Sequence, residues 1–372
     1  MIPVNEPALG RRELELVTEA VATGWVSSQG RFVEEFERGW SAYCGRRHGV
    51  AMANGTVSLQ AALAALDLEP GDEVVMPTFT IVSCALAAVY NGAVPVLVDS
   101  EPGTWCLDPS QVAARITPRT RAVMVVHAYG HPADMEALES LCERRGLALV
   151  EDAAEAHGAE YRGRRCGSFG TLSCFSFYAN KVVTTGEGGM VLTDDGGLAE
   201  RLRSLRDLCF DRERRFRHER LGFNFRLTSL QAALGVAQLE RIDELVERKR
   251  EIAARYTRVL DGVPGLELPV ERPWAKSVYW MYGVVVDASA AGFAAADLAS
   301  HLERRGIQTR PFFLGLHEQP ALGGRVRAEG GFPVAERIAR DGLYLPSGLA
   351  LTDEQVDEVA DAVHELAAVR AP

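Results

Sequence analysis

The run Leu147-Ala148-Leu149-Val150-Glu151-Asp152-Ala153-Ala154-Glu155 decides the architecture. Four apolar residues in a row, followed by two acids, read as a short strand buried on both faces. Similar runs lie upstream at Val74-Val75-Met76, Val94 to Val98 and Ala122 to Val126. Between them Thr56 to Leu66, Ile81 to Tyr90 and Asp134 to Arg145 read as helices, the last with Met135, Leu138, Leu141 and Cys142 at helical spacing. This alternation predicts an α/β fold whose mostly parallel sheet carries helices on both faces. Ligand chemistry in such sheets gathers at the C-terminal ends of strands, where Glu151 and Asp152 stand. Capping of a following helix is an equal reading of Asp152.

The rhythm changes after about residue 195. Gly196 to Cys209 and Ser229 to Leu260 read as long helices. Beyond Pro264 come a strand (Tyr282 to Val286), a helix (Ala295 to Arg305) and a final helix (Asp353 to Val369), with a loop from Pro320 to Pro333. The change of rhythm predicts a domain boundary near 245–265.

With 372 residues and a net charge of −11, the chain is long enough for a substantial core and ill suited to nucleic acid. Its densest basic stretch, Arg212 to Arg220, alternates with acids and reads as a solvated helix or mobile loop. Seven cysteines stand singly, with no CxxC pair, as expected of reduced thiols in a cytoplasmic protein. The N-terminus reads as no signal peptide, and no apolar run is long enough to span a membrane.

Of the 40 basic side chains only Lys181, Lys249 and Lys276 are lysine. Arginine stays protonated, whereas a desolvated lysine amine can lose its proton and attack a carbonyl. Lys181 ends the run Phe175-Ser176-Phe177-Tyr178-Ala179-Asn180-Lys181, and Thr184-Thr185-Gly186-Glu187-Gly188-Gly189 follows before a strand, Met190 to Thr193. Those glycines also read as plain turn chemistry. Asn54-Gly55-Thr56 follows a strand and opens a helix, as a phosphate cup does, although an Asn-Gly turn with a Thr cap has the same letters. A lysine for an aldehyde, a carboxylate for a pyridine nitrogen and a phosphate cup are together what pyridoxal 5′-phosphate (PLP) needs.

With these residues in view, the chain resembles the sugar aminotransferases of the DegT/DnrJ/EryC1/StrS family. The similarity runs from Gly24-Trp25-Val26-Ser27-Ser28-Gln29-Gly30 through Val126 to Pro132, Glu151 to Glu155, Phe175 to Gly189, Asn224-Phe225-Arg226-Leu227-Thr228 and Tyr279-Trp280-Met281 to Thr309-Arg310-Pro311. The resemblance implies the fold of PLP-dependent transferases of type I, like aspartate aminotransferase. A large PLP-binding domain would span 1–250, with a mixed, mostly parallel sheet. A small C-terminal α+β domain would span 251–372, with the N-terminal segment packing on it.

The resemblance also implies roles. Lys181 would hold the PLP aldehyde and shuttle protons, and Asp152 would pair with the pyridinium nitrogen. Gly55, Thr56 and Ser176 would bind the phosphate. Asn224 would reach the neighbouring subunit's cofactor, making the active unit a homodimer with shared sites. Many members carry Gln at the position of Glu155, beside the phenolic oxygen; a carboxylate there predicts a raised pKa. The ring-stacking slot holds Ile81, so either Ile81 covers the ring or Phe79 does. His157, Arg226, Tyr279, Arg310 and His317 are the substrate-side candidates, and the loops Leu208 to Arg220 and Phe312 to Pro320 carry specificity. No metal is expected. The implied substrates are glutamate and a nucleotide-linked keto sugar, GDP-4-keto-6-deoxymannose foremost. Alternatives are 3-amination of a GDP-keto sugar, as in mycosamine formation, a keto-cyclitol substrate, or a non-catalytic sensor of PLP or nucleotide sugar. The related 3-dehydratase has His where Lys181 stands.

Overall fold

The computed structural model describes residues 1–370 except 212, 215 and 219. Part of the 208–220 loop, expected to carry specificity, therefore lies outside the described residues. Among the described residues a seven-stranded sheet runs in the order His48–Met52, Gly189–Thr193, Leu172–Ser176, Ala148–Asp152, Thr120–Val126, Glu73–Pro77, Val94–Val98. The four pairings from Leu172–Ser176 to Val94–Val98 are parallel, and the two at the other edge are antiparallel. The sheet is thus mixed and mostly parallel, as expected of the α/β class. Gly55–Ala65, Ser83–Tyr90 and Met135–Arg145 return the chain between strands. Asn54 and Asp134 cap two of these helices by accepting from Val57 N and Ala137 N.

A second, four-stranded sheet is antiparallel throughout, in the order Leu266–Glu267, Tyr282–Val286, Gly342–Leu345, Arg310–Pro311. Each sheet has its own apolar cluster. Helix Ile242–Leu260 joins them, placing Leu245 and Val246 in the first cluster and Ile252, Ala253, Tyr256 and Leu260 in the second. The N-terminal Ile2 also packs into the second cluster and pairs with Ile307.

The single helix expected over Ser229 to Leu260 is two, Ser229–Glu240 and Ile242–Leu260. Arg241 leaves helical geometry at φ −124°, ψ 19°. The first half must lie flat on Arg31–Tyr43, where Gly235 leaves room for the Phe36 ring. The second must reach the other cluster, so one straight axis cannot serve both. Helices Arg11–Ala22, Arg31–Tyr43 and Pro333–Asp341 were not anticipated.

Candidate functional site

The two acids at the end of Ala148–Asp152 part company because side chains alternate across a strand. Glu151 points into one layer. It accepts from His127 Nε2 (2.8 Å), Gly167 N (2.6 Å), Phe169 N (3.0 Å) and Ser173 Oγ (2.9 Å). His127 Nδ1 accepts from Ala133 N, so the ring proton sits on Nε2 and faces the carboxylate. This network locks the sheet end and leaves Glu151 no capacity for chemistry.

Asp152 points the other way, into a cleft of about 620 Å³. It is 3% exposed. Its Oδ2 accepts from Cys84 Sγ at 3.2 Å and its Oδ1 from Ala154 N at 3.1 Å. No helix follows it, so it caps none. Burial pushes its carboxyl above the ordinary range, against the pull of Ala154 N–H, Cys84 and Lys181. The same cleft is lined by Gly55, Thr56, Ile81, Glu155, Ser176 and Lys181, so these expected cofactor residues converge.

The end formed by Gly55, Thr56 and Ser176 is a cradle that only glycine permits. A Cβ on Gly55 would stand 2.5 Å from Ser176 Cβ. Asn54 does the capping, which leaves the Thr56 hydroxyl to pair with Ser83 Oγ at 2.8 Å. The Gly-rich turn serves this end from behind, since a Cβ on Gly189 would meet Asn54 O at 2.4 Å. Ile81 is 45% exposed and lines the cleft, while Phe79 is buried against Tyr129, Phe312 and Phe313. Of the two residues expected to cover the ring, Ile81 lines the cleft and Phe79 does not.

Lys181 Nζ lies 3.5 Å from the centroid of the Trp280 ring. Burial lowers its pKa, opposed by the charges of Glu155 and Asp152. Glu155 Oε2 accepts from Tyr129 N at 2.8 Å. Burial raises its carboxyl to about 7. The expected direction holds, with desolvation as the leading cause.

The substrate-side candidates fare differently. His157 is buried among Trp40, Phe175 and Phe177, and its Nδ1 accepts from Val183 N at 3.2 Å. Burial lowers its pKa to about 3. It braces the Lys181 loop from behind and offers no face to a substrate. Tyr279 has φ 45° and turns away from the cleft, which gives that position to Trp280. His317 bonds Thr78 Oγ1 at 2.7 Å and stacks on Phe332, outside the cleft lining. Arg310 is exposed, with its charge felt at Tyr344 in the cleft wall. Arg226 pairs with Asp207 in a separate hollow of about 730 Å³, and Asn224 is exposed beside Asp207. Neither lines the Lys181 cleft of its own chain. Trp280, Asn180 and Tyr344 line the cleft and were missed, while Phe313 lines it from the Phe312–Pro320 loop that was expected to carry specificity. The Tyr279-Trp280-Met281 run was a signal for Trp280, but only the backbone turn at Tyr279 decides which aromatic faces in.

Residues 7–364 match the model of the DegT/DnrJ/EryC1/StrS aminotransferase family, and the chain belongs to that family. Its members are PLP-dependent aminotransferases. The chain is 40% identical to GDP-perosamine synthase of Caulobacter vibrioides over 98% of both chains. It is 41% identical to dTDP-3-amino-3,4,6-trideoxy-alpha-D-glucose transaminase of Streptomyces venezuelae, over 98% of this chain and 96% of the other. The crystal structure of S. venezuelae DesV in complex with a ketimine intermediate superposes with a TM-score of 0.90 at 41% identity, covering 95% of this chain and 94% of that one. Among the described residues no helix is long and apolar enough to cross a membrane.

Proposed function

We propose that the chain binds PLP in the Lys181 cleft and transfers an amino group from glutamate to a nucleotide-linked keto sugar, GDP-4-keto-6-deoxymannose first among them. The observation that carries the reading is the convergence of Lys181, Asp152, Glu155 and the Gly55–Ser176 cradle on one cleft. PLP fits these residues. The helix N-terminus at Gly55 and Thr56, with Ser176, suits its phosphate, and the buried Asp152 suits a pyridinium. PLP supplies an electron sink for proton transfers at carbon.

The chain's own residues do the rest. Lys181 Nζ, with its proton affinity lowered by burial, takes and returns a proton at the reacting carbon. Trp280 holds that amine in place, and its indole N–H donates to Asn180 O at 2.8 Å. Ile81 excludes water from one face of the cleft. Asn224 is assigned to the cleft of a second copy, as the family resemblance implies, and its place outside the cleft of its own chain is compatible with that. On this reading the enzyme is a homodimer, and the domain boundary falls within Ile242–Leu260, between its two apolar clusters. The sugar preference draws support from the relatives named GDP-perosamine synthase. The 3-amino relative, at equal identity, makes the aminated carbon the question to test. A coupled assay with glutamate against GDP-4-keto-6-deoxymannose and its dTDP analogue, with NMR of the product, decides it. Turnover of the GDP sugar to a 4-amino product is expected; turnover of the dTDP sugar alone, or a 3-amino product, refutes the preference.

Glu155 gives the reading a pH signature. Burial pushes its carboxyl up to about 7, so its charge changes well above the range of a solvated glutamate. The visible absorption of bound PLP should therefore change with pH around neutrality. In Glu155→Gln that component should vanish, since an amide does not titrate. An identical absorption-versus-pH profile in the variant would remove Glu155 from the site.

A further inference from the structure

Lys249 belongs to none of the roles assigned so far. It sits on helix Ile242–Leu260 and is 2% exposed. Its Nζ donates to the main-chain oxygen of Ser347, and no ion pair to a carboxylate is found for it among the described residues. Burial lowers its pKa to about 7. An amine buried without a carboxylate destabilises a fold relative to an apolar side chain of the same length. Lys276, by contrast, is half-exposed and pairs with Glu160 at 3.6 Å on the surface. Scarcity of lysine thus leaves two buried amines to explain, and one of them is Lys181.

The second lies behind the first. Lys249, Lys181 and Asn180 border one narrow cavity, closed by Asn5, Trp280 and Leu349. Asn180 Oδ1 is buried and lacks a donor among the described residues. The Lys249 amine carries three N–H donors when charged and two when neutral, of which the Ser347 oxygen takes one. Lys249, with donor capacity to spare, and Asn180, with an orphaned acceptor, thus border the same cavity. A path of hydrogen bonds runs round it. Ser347 N donates to Val4 O at 3.1 Å, and Asn5 Nδ2 donates to Asn180 O at 3.3 Å. The path ends one residue before Lys181.

We infer that Lys249 is a positioning residue for Lys181, holding the 180–182 segment across this cavity through Asn180 and through the Ser347–Val4–Asn5 path. The inference builds on the PLP reading but is tested partly without it. In the full-length, cofactor-free protein, Lys249→Met should fold and melt no lower than the parent at neutral pH. Amide hydrogen exchange at Lys181 to Val183 should nonetheless rise. With PLP added, the pH at which its visible band changes should move. The kcat should fall about tenfold with little change in KM for glutamate, as expected when a catalytic amine is slightly misplaced. Asn180→Ala should reproduce these changes, and the double variant should be no worse than either single one. If Lys249→Met does not fold, Lys249→Gln serves for the same measurements. Unchanged exchange and an unchanged PLP band in a folded variant would overturn the inference, as would additive losses in the double variant. A parent protein that shows no visible PLP band refutes the PLP reading itself, while the exchange result still judges the link from Lys249 to the 180–183 segment.

Discussion

Replacing Lys181 by arginine should lower turnover by at least about 10⁴-fold, the upper end of what one positioned acid–base group contributes, because the nucleophilic role is lost as well. The protein should remain folded. Arginine keeps a cation against the Trp280 face, where Lys181 Nζ lies 3.5 Å from the ring centroid, so the packing that seats the side chain survives. What disappears is an amine that can exist neutral. Burial lowers the Lys181 pKa and thereby makes the neutral form accessible, whereas a guanidinium stays charged through the whole working range. Lys181→Ala should lose turnover equally, since it removes both charge and nucleophile. Together the two variants separate charge from basicity. If arginine preserved more than about a hundredth of the parent rate, Lys181 would be acting as a fixed cation. If alanine did so, it would have no part in the chemistry. The readout is the glutamate-dependent rate, with the melting temperature of each variant as the control for folding.

The parallel part of the sheet was legible because its strands carry apolar runs of three to five residues, as expected of strands covered on both faces. Val94–Val98 is recovered with both its ends, and Asp134 marks its helix by capping it. Lys181, Asp152 and the Gly55–Ser176 cradle were legible for a related reason. Asp152 and Ser176 end strands and Gly55 starts a helix, where one-dimensional order translates into place, and Lys181 follows in the loop five residues beyond Ser176. The substrate-side residues were not, because they depend on loop backbone. Tyr279 and Trp280 are neighbours in sequence, and the left-handed turn at Tyr279 alone sends one out and the other in. His157 looked polar and available, but three aromatic rings enclose it, and no local pattern announces a neighbour such as Trp40, over a hundred residues away. Likewise Lys276 is nearer than Lys249 to Trp280 in sequence. The fold reverses that order, because helix Ile242–Leu260 passes behind the Lys181 loop.

Asp152→Asn should move stability and activity in opposite directions. In the cofactor-free chain Asp152 is a buried carboxyl whose pKa is raised by desolvation. The native state then holds its proton more tightly than the unfolded chain does. Between the unfolded value and the raised native one, stability falls as pH rises, so the penalty is larger at neutral pH than at pH 4. Asparagine has the same shape. Its Oδ1 can keep the bond from Ala154 N, and its amide can face Cys84 Sγ, while the charge is gone. Cofactor-free Asp152→Asn should therefore be more stable than the parent at pH 7, on the order of 1 kcal/mol or more, since it removes a buried, incompletely paired charge. The advantage should shrink toward pH 4, as the parent carboxyl takes up its proton. Turnover should fall about 10²–10³-fold, the usual loss when one preorganised charge is deleted from a closed site. A residue kept charged at the expense of the fold is one whose charge the chemistry uses. Melting curves at pH 4 and pH 7, beside the glutamate-dependent rate, test both halves. A variant that melts lower by the same margin at both pH values would make Asp152 a structural hydrogen-bond acceptor. An undiminished rate would remove it from the chemistry even if its charge proved costly to the fold.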